Sequence, residues 1–252
     1  MPERRRVLVT GGASGIGLAV ARRLADDGDR VVVADVDGAA LHRLEQTLPG
    51  CVTVVADLAR AEDVHRLAAE VGAVDVLVNN AGLQRVHPIE RFPEEEWNTM
   101  LAVMLTAPFL LTKAVLPGMY DRGWGRVVNI ASVHGLVASP YKACYVAAKH
   151  AIVGLTKVVA LEAGARCADV TAHAICPSYV RTPLVEAQIA DQARAHGLAE
   201  DDVLTDVLLA SNSVKRLIEP EEVAEAVAFV CRPGAWSMSG SVLTLDAGWL
   251  AH

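Results

Sequence analysis

Tyr145 and Lys149 are separated by Val146-Ala147-Ala148 within an alanine-rich stretch of helical character. At i and i+4 they share one helix face, about one turn apart. A phenol with a pKa near ~10 is a poor base at neutral pH, but a neighbouring ammonium favours the phenolate and lowers that value. The pair is thus a candidate proton-transfer group, and Ser132 upstream is a candidate partner for a substrate oxygen whose charge changes during reaction. Taken alone, Tyr-x-x-x-Lys is common on helix surfaces. What precedes it makes it informative.

The string Thr10-Gly11-Gly12-Ala13-Ser14-Gly15-Ile16-Gly17 follows a β-branched run and opens a helical stretch. Its glycines permit a tight turn and close backbone approach, and the helix start after it aims N–H groups at a pyrophosphate. Gly11, Ser14, Gly15, Ile16 and Gly17 are the expected phosphate-loop contacts, a reading strengthened by the strand before and the helix after. Asp35 ends the second strand run, 18 residues beyond Gly17. A carboxylate there binds both ribose hydroxyls and repels a 2′-phosphate, and neither Ser14 nor Val36 supplies a compensating positive charge. NAD is therefore expected rather than NADP. Asp57-Leu58 and Asn79-Asn80-Ala81-Gly82 follow the third and fourth strand runs, and Asp57, Leu58, Asn79, Ala81 and Gly82 are expected along the same crevice.

The elements that must position these groups are readable from periodicity. Strands are expected at Arg6–Thr10, Arg30–Asp35, Cys51–Ala56, Asp75–Asn79, Arg126–Ser132, Val170–Cys176 and Ser241–Leu245. Helices are expected at Gly15–Asp27, Ala39–Leu48, Ala61–Gly72, Pro93–Tyr120, Tyr141–Ala165 and Pro220–Cys231. Continuous apolar runs such as Val31-Val32-Val33-Ala34 suit strands buried on both faces. Alternation of strand and helix predicts an α/β, three-layer, doubly wound Rossmann fold with a seven-stranded parallel sheet. With no linker or repeat, residues 1–252 read as one domain, and the insertion at about 183–217 reads as a substrate lid.

Composition agrees. The chain is 52% hydrophobic but only 4% aromatic, so Ala, Val and Leu must pack the core, as close helix–sheet layers require. A net charge of −7 argues against nucleic-acid binding, which needs a basic face. No uninterrupted apolar run approaches the ~18 residues of a membrane span, and the basic start leads to Thr10-Gly11-Gly12 instead of a signal-peptide core. A cytoplasmic enzyme is expected. Five widely spaced cysteines without a CxxC pair, and no HExxH, suggest neither a disulfide framework nor a metal site.

Thr10–Gly17, Asn79–Gly82, Ser132 and Tyr145-x-x-x-Lys149 together resemble the defining motifs of the classical short-chain dehydrogenases/reductases, over essentially the whole chain. The resemblance implies that Tyr145 is the general acid/base, that Lys149 binds the nicotinamide ribose and assists Tyr145, and that Ser132 holds the substrate oxygen. It also implies that Pro177, Val180 and Thr182 contact the nicotinamide end, and that the chain forms a homotetramer through its two longest helices. One departure matters: Met104 stands where the family has an asparagine that supports a water-linked proton path from the lysine. Ser178 replaces the usual glycine after Pro177, a milder change.

Ile130–Ser139, Cys176-Pro177 with Val180–Val185, and Asp246–Ala251 are similar to a narrower group, the NAD-dependent 3-hydroxybutyrate dehydrogenases. That similarity implies substrate contacts at Gln84, Ser132, His134, Lys142, Tyr145 and Gln188. Lys142 reads as a cation in the first turn of the helix bearing Tyr145, where opposition to the macrodipole favours an anionic ligand. Tyr179 stands where the group usually has Trp, Ser211-Asn212-Ser213-Val214 departs from its usual lid, and Trp249 matches a residue near its pocket. The expected reaction is reversible oxidation of (R)-3-hydroxybutyrate, or a similar short 3-hydroxy acid, to the 3-oxo acid. The alternatives are a dehydrogenase for another secondary alcohol (sugar, polyol or 3-oxoacyl thioester) and an NAD(H)-binding protein weakened in turnover by Met104.

Overall fold

The β-branched runs pair into one parallel sheet in the computed structural model, which describes residues 4–183, 185, 186, 189 and 199–251. Its strands are β1 (Arg6–Thr10), β2 (Arg30–Asp35), β3 (Val52–Val55), β4 (Val76–Asn79), β5 (Gly125–Ile130), β6 (Val170–Pro177) and β7 (Val242–Leu245). They lie in the order β3-β2-β1-β4-β5-β6-β7. Around them pack α1 (Gly15–Asp26), α2 (Gly38–Thr47), α3 (Ala61–Val71), α4 (Glu94–Leu101), α5 (Ala107–Arg122), α6 (Ala143–Arg166), α7 (Glu200–Val203) and α8 (Pro220–Val230). This is the three-layer Rossmann-type arrangement that the alternation predicts.

Strand parity divides the core in two. Val7, Val9, Val31, Val33, Val76 and Val78 face α1 and α8, meeting Leu24, Val223 and Val227. Their neighbours Leu8, Val32 and Leu77 point the other way, onto Leu67 of α3, Leu111 of α5 and Val159 of α6. Small β-branched side chains on both faces let helices sit close on each side, which is why so few aromatics suffice. The chain reverses direction across the sheet where β1 lies beside β4. Loops leaving those two strands part to opposite sides and open a crevice above their carboxyl ends.

Several element boundaries differ from the sequence reading. The expected helix Pro93–Tyr120 is divided by a π-helical turn at Ala102–Thr106, between α4 and α5. Pro108 sits in the first turn of α5 and has no N–H for the Met104 carbonyl four residues back, so the regular ladder fails there. β5 ends at Ile130, which leaves Ser132 to cap a 3-10 turn at Val133–Gly135. α6 begins at Ala143, with Lys142 at its N-cap and Tyr141 at φ 66. Lys142 therefore lies outside the first helical turn.

By length and composition, Glu94–Arg122 and Ala143–Arg166 are long and apolar enough to cross a membrane. Neither is an uninterrupted apolar run, because Lys113 interrupts the first and Lys149 and Lys157 the second. Their apolarity has a local cause: one side packs on the sheet, while Phe109, Val158 and Leu161 remain exposed on the other. In the insertion, α7 and a π-helical turn at Leu204–Leu208 bring Val203, Leu208 and Leu209 onto Ile189 and Leu217, a small core of their own.

Candidate active site

The glycine loop is shaped by contact with the turn after β4. Gly11 has φ 60, and a Cβ there would lie 2.7 Å from the Ala81 Cα. A Cβ on Gly17 would collide with the Gly11 carbonyl oxygen and lie 2.5 Å from Asn80 Nδ2. Asn80 Nδ2 donates to the carbonyls of Thr10 and Gly11 at 3.0 and 2.9 Å, and Thr10 Oγ1 accepts from the N–H groups of Asn80 and Ala81. The loop is thus locked open beside the start of α1, whose Ser14 makes no side-chain cap and whose first turn carries no acid. An anion at this helix start meets N–H groups and no carboxylate from the helix's own first turn.

A cleft of about 480 Å³ runs from this loop to the turn after β5. Gly11, Ser14, Gly15 and Ile16 line its phosphate end, and Asp35, Asp57 and Leu58 lie along the β2 and β3 side. Asp35 Oδ2 accepts from the Ala13 N–H at 3.0 Å and Oδ1 from the Asp37 N–H at 3.1 Å, so backbone donors hold the carboxylate in place. Ala81, Gly82, Pro177, Val180 and Thr182 close the far end, where Ser132, Tyr145 and Lys149 meet. Size, the missing Cβ atoms and the uncapped helix start fit a nicotinamide dinucleotide.

Two expected cofactor contacts lie elsewhere. Gly17 packs on the loop without lining the cleft, and the Asn79 side chain turns into the core. Asn79 Nδ2 donates to Asn129 Oδ1, and Asn129 Nδ2 donates to Thr156 Oγ1, both at 2.8 Å. Thr99 and Val103, from α4 and the π-helical turn, line the cleft unforeseen. No spacing rule points to them, because a broken helix brings them there.

Lys149 is buried, and its Nζ donates to the Ile130 carbonyl at 2.7 Å, 5.5 Å from the centre of the Tyr145 ring. Burial brings the ammonium down to about 8. Burial also pushes the Tyr145 phenol up to about 12, against a hydrogen bond with Ser132 that acts in the opposite sense. The expected lowering of the Tyr145 pKa by Lys149 is thus absent from the free protein. A low-dielectric site penalises both charged forms, and the ammonium is directed at a backbone carbonyl. Met104 is buried with Met100, Cys144 and Ala148. A Cβ on Gly82 would lie 3.8 Å from its Sδ and 4.0 Å from Lys149 Nζ, so the thioether sits in the lysine's neighbourhood and offers only a weak acceptor.

Beside Tyr145 lies a recess of about 50 Å³ lined by Gln84, Ser132, His134, Lys142, Tyr145, Tyr179 and Trp249, among others. Five sequence-predicted substrate residues converge there; the sixth, Gln188, lies outside the described residues. Gln84 Nε2 is buried with no hydrogen-bond partner. His134 Nε2 is 2.7 Å from Ser139 Oγ, and burial lowers its pKa to about 4, so the ring is neutral near pH 7. Lys142 is drawn below its usual range by desolvation.

The chain belongs to the short-chain dehydrogenase family, whose model matches residues 5–193. It is an oxidoreductase of that family. Among its relatives, the D-beta-hydroxybutyrate dehydrogenase of Rhizobium meliloti (strain 1021) is 42% identical over 258 residues, covering 98% of this chain and 99% of that protein. The protein of the same name from Cupriavidus necator is 40% identical over 260 residues, covering 100% of each. An acetoacetyl-CoA reductase of Rhizobium meliloti is 34% identical over 248 residues, covering 97% of this chain and 98% of that protein. A crystal structure of an actinorhodin polyketide ketoreductase variant with NADPH superposes with a TM-score of 0.92 at 33% identity, covering 99% of this chain and 98% of that one.

Proposed function

We propose that this oxidoreductase reversibly oxidises (R)-3-hydroxybutyrate, or a close short 3-hydroxy acid, to the 3-oxo acid with NAD. The observation that carries the reading is the recess beside Tyr145, which places the Lys142 ammonium and the unpartnered Gln84 amide next to the proton-transfer group. A buried donor without a partner costs about 1–3 kcal/mol, which a ligand acceptor recovers. A space of about 50 Å³ accommodates roughly four water-sized groups, enough for a carboxylate and a short stem. The D-beta-hydroxybutyrate dehydrogenases among the relatives support the same substrate. An acyl thioester, another chemistry named among the relatives, leaves Lys142 without a counter-charge.

Asp35 supports NAD: its fixed carboxylate suits ribose hydroxyls and opposes a 2′-phosphate, and Lys149 is the sole cation lining the cleft among the described residues. Bound nicotinamide supplies a hydride acceptor for the alcohol carbon. Ser132 orients the substrate oxygen, and Tyr145 takes the hydroxyl proton at its phenolic oxygen. Lys149 holds the ribose side and stabilises the phenolate. Lys142, Gln84, His134 and Gln188 hold the carboxylate. Exposed Phe109, Val158 and Leu161 support pairing of copies through α5 and α6, and the proposed assembly is a cytoplasmic homotetramer.

The test compares kcat/KM for 3-hydroxybutyrate, its methyl ester and unrelated polyols with NAD and with NADP. The acid with NAD is expected to lead, and Lys142→Ala to raise KM for the acid by roughly tenfold to a hundredfold while sparing the ester. A polyol or thioester outperforming the acid overturns the substrate, and equal use of NADP overturns the cofactor.

A further inference from the structure

Lys142 Nζ lies 3.2 Å from the Tyr179 hydroxyl and 5.3 Å from the centre of its ring. No carboxylate pairs with this ammonium among the described residues. An ammonium has three donors and no acceptor, so the Tyr179 oxygen is the acceptor, and its own O–H remains to be given elsewhere. The ring is held on two sides, and the residue's backbone by a third contact. It stacks on Trp249 at 5.9 Å and 17°, and its edge contact with His134 is at 6.5 Å. Its backbone carbonyl accepts from the Ile218 N–H at 3.0 Å, next to the bridge between Val180 and Ile218. The hydroxyl cannot leave the recess without breaking this packing. Burial raises its pKa further, so it stays a neutral donor at physiological pH.

We propose that Tyr179 is a substrate-binding and specificity-determining residue, whose hydroxyl accepts from Lys142 and donates its own hydrogen to the carboxylate of the bound acid. The proposal rests on the short-acid reading of the recess. Accepting a hydrogen bond from a cation polarises the phenol and strengthens the bond it gives to an anion. A carboxylate gains more from such a donor than a neutral carbonyl does. Lys142 and Tyr179 then form a joined grip on one end of the substrate, while Tyr145 and Ser132 engage the carbinol.

The experiment is Tyr179→Phe, which keeps the ring and its stacking on Trp249. Two measurements are made on the full-length protein: kcat and KM for 3-hydroxybutyrate and its methyl ester, and calorimetric titration of butyrate with and without NADH. The variant is expected to raise KM for the acid and weaken butyrate binding by about tenfold or more, with kcat and the ester changed less than threefold. An equal loss with acid and ester, or unchanged butyrate affinity, overturns the proposal. Wild-type protein that binds butyrate through Tyr179 but fails to oxidise 3-hydroxybutyrate overturns the hydroxy-acid reading and leaves the Tyr179 assignment standing. Wild-type protein that neither binds butyrate nor oxidises the acid overturns both.

Discussion

The two edges of the sheet carry polar side chains in opposite states. Along the amino edge most of them are joined to one another. Arg5 pairs with Asp29 at 2.5 Å and donates to the Cys231 carbonyl, while Asp75 accepts from the Arg6 N–H and from Arg122 Nε. Arg126 is buried against Trp124 and donates to the Asp169 carbonyl. Along the carboxyl edge the groups face an open cleft: Gln84 Nε2 has no partner, Lys142 has only a phenol, and Lys149 a single carbonyl. The basic run Arg4-Arg5-Arg6 is thus a brace for the first strand, whereas scattered single residues at the other edge form a binding site. Both edges bury charge. Arg126 Nε and Nη2 also lack partners at the amino edge, but only at the carboxyl edge do unpartnered groups line a cleft.

Substitutions can break or sharpen that contrast. Tyr145→Phe is expected to lower kcat for alcohol oxidation by about 10²–10⁴-fold with no loss of stability, measured as NADH formation beside a thermal melt. A destabilised variant or undiminished turnover counts against it. At the amino edge, Asp29→Ala leaves the Arg5 guanidinium buried and unpaired. About 3–5 kcal/mol of stability should go in urea unfolding, with kcat unchanged below the transition. Inactivation in the folded baseline would mean that the edges are coupled.

The third prediction concerns pH, with one histidine towards each edge. His134 and His173 are buried, and burial takes both down to about 4. A base whose pKa is lower in the folded state binds protons more readily when unfolded. Stability is therefore complete above about 6.5 and falls as the pH drops towards 4, by roughly 3 kcal/mol for each histidine. His134→Gln and His173→Gln should each flatten the profile of urea midpoint against pH by a similar amount. Equal flattening would show that burial, common to both edges, sets this term. A flat wild-type profile would contradict it.

The division between what was legible and what was not follows from range. Short β-branched apolar runs identified the strands, and strand–loop–helix order located the phosphate loop, because both depend on neighbours in the chain. Pro108 was a visible signal for the break in the Pro93–Tyr120 helix, although the position of Met104 within a π-helical turn was not. Asn79 was misplaced because a strand-end Asn can turn either to the cleft or to the core. Asn129, far along the sequence, accepts its amide and decides the matter.

The amino-acid sequence by itself determined the sheet, the loop and the identity of Ser132, Tyr145 and Lys149. Glycine spacing, β-branched runs and the i, i+4 relation are local rules. Tertiary structure decided the states of those groups. The burial that raises Tyr145 and lowers Lys149, and the meeting of Lys142 with Tyr179 across 37 positions, arise from surfaces brought together by folding. Solvation and distance, which set charge and hydrogen bonding, exist only once those surfaces are in contact.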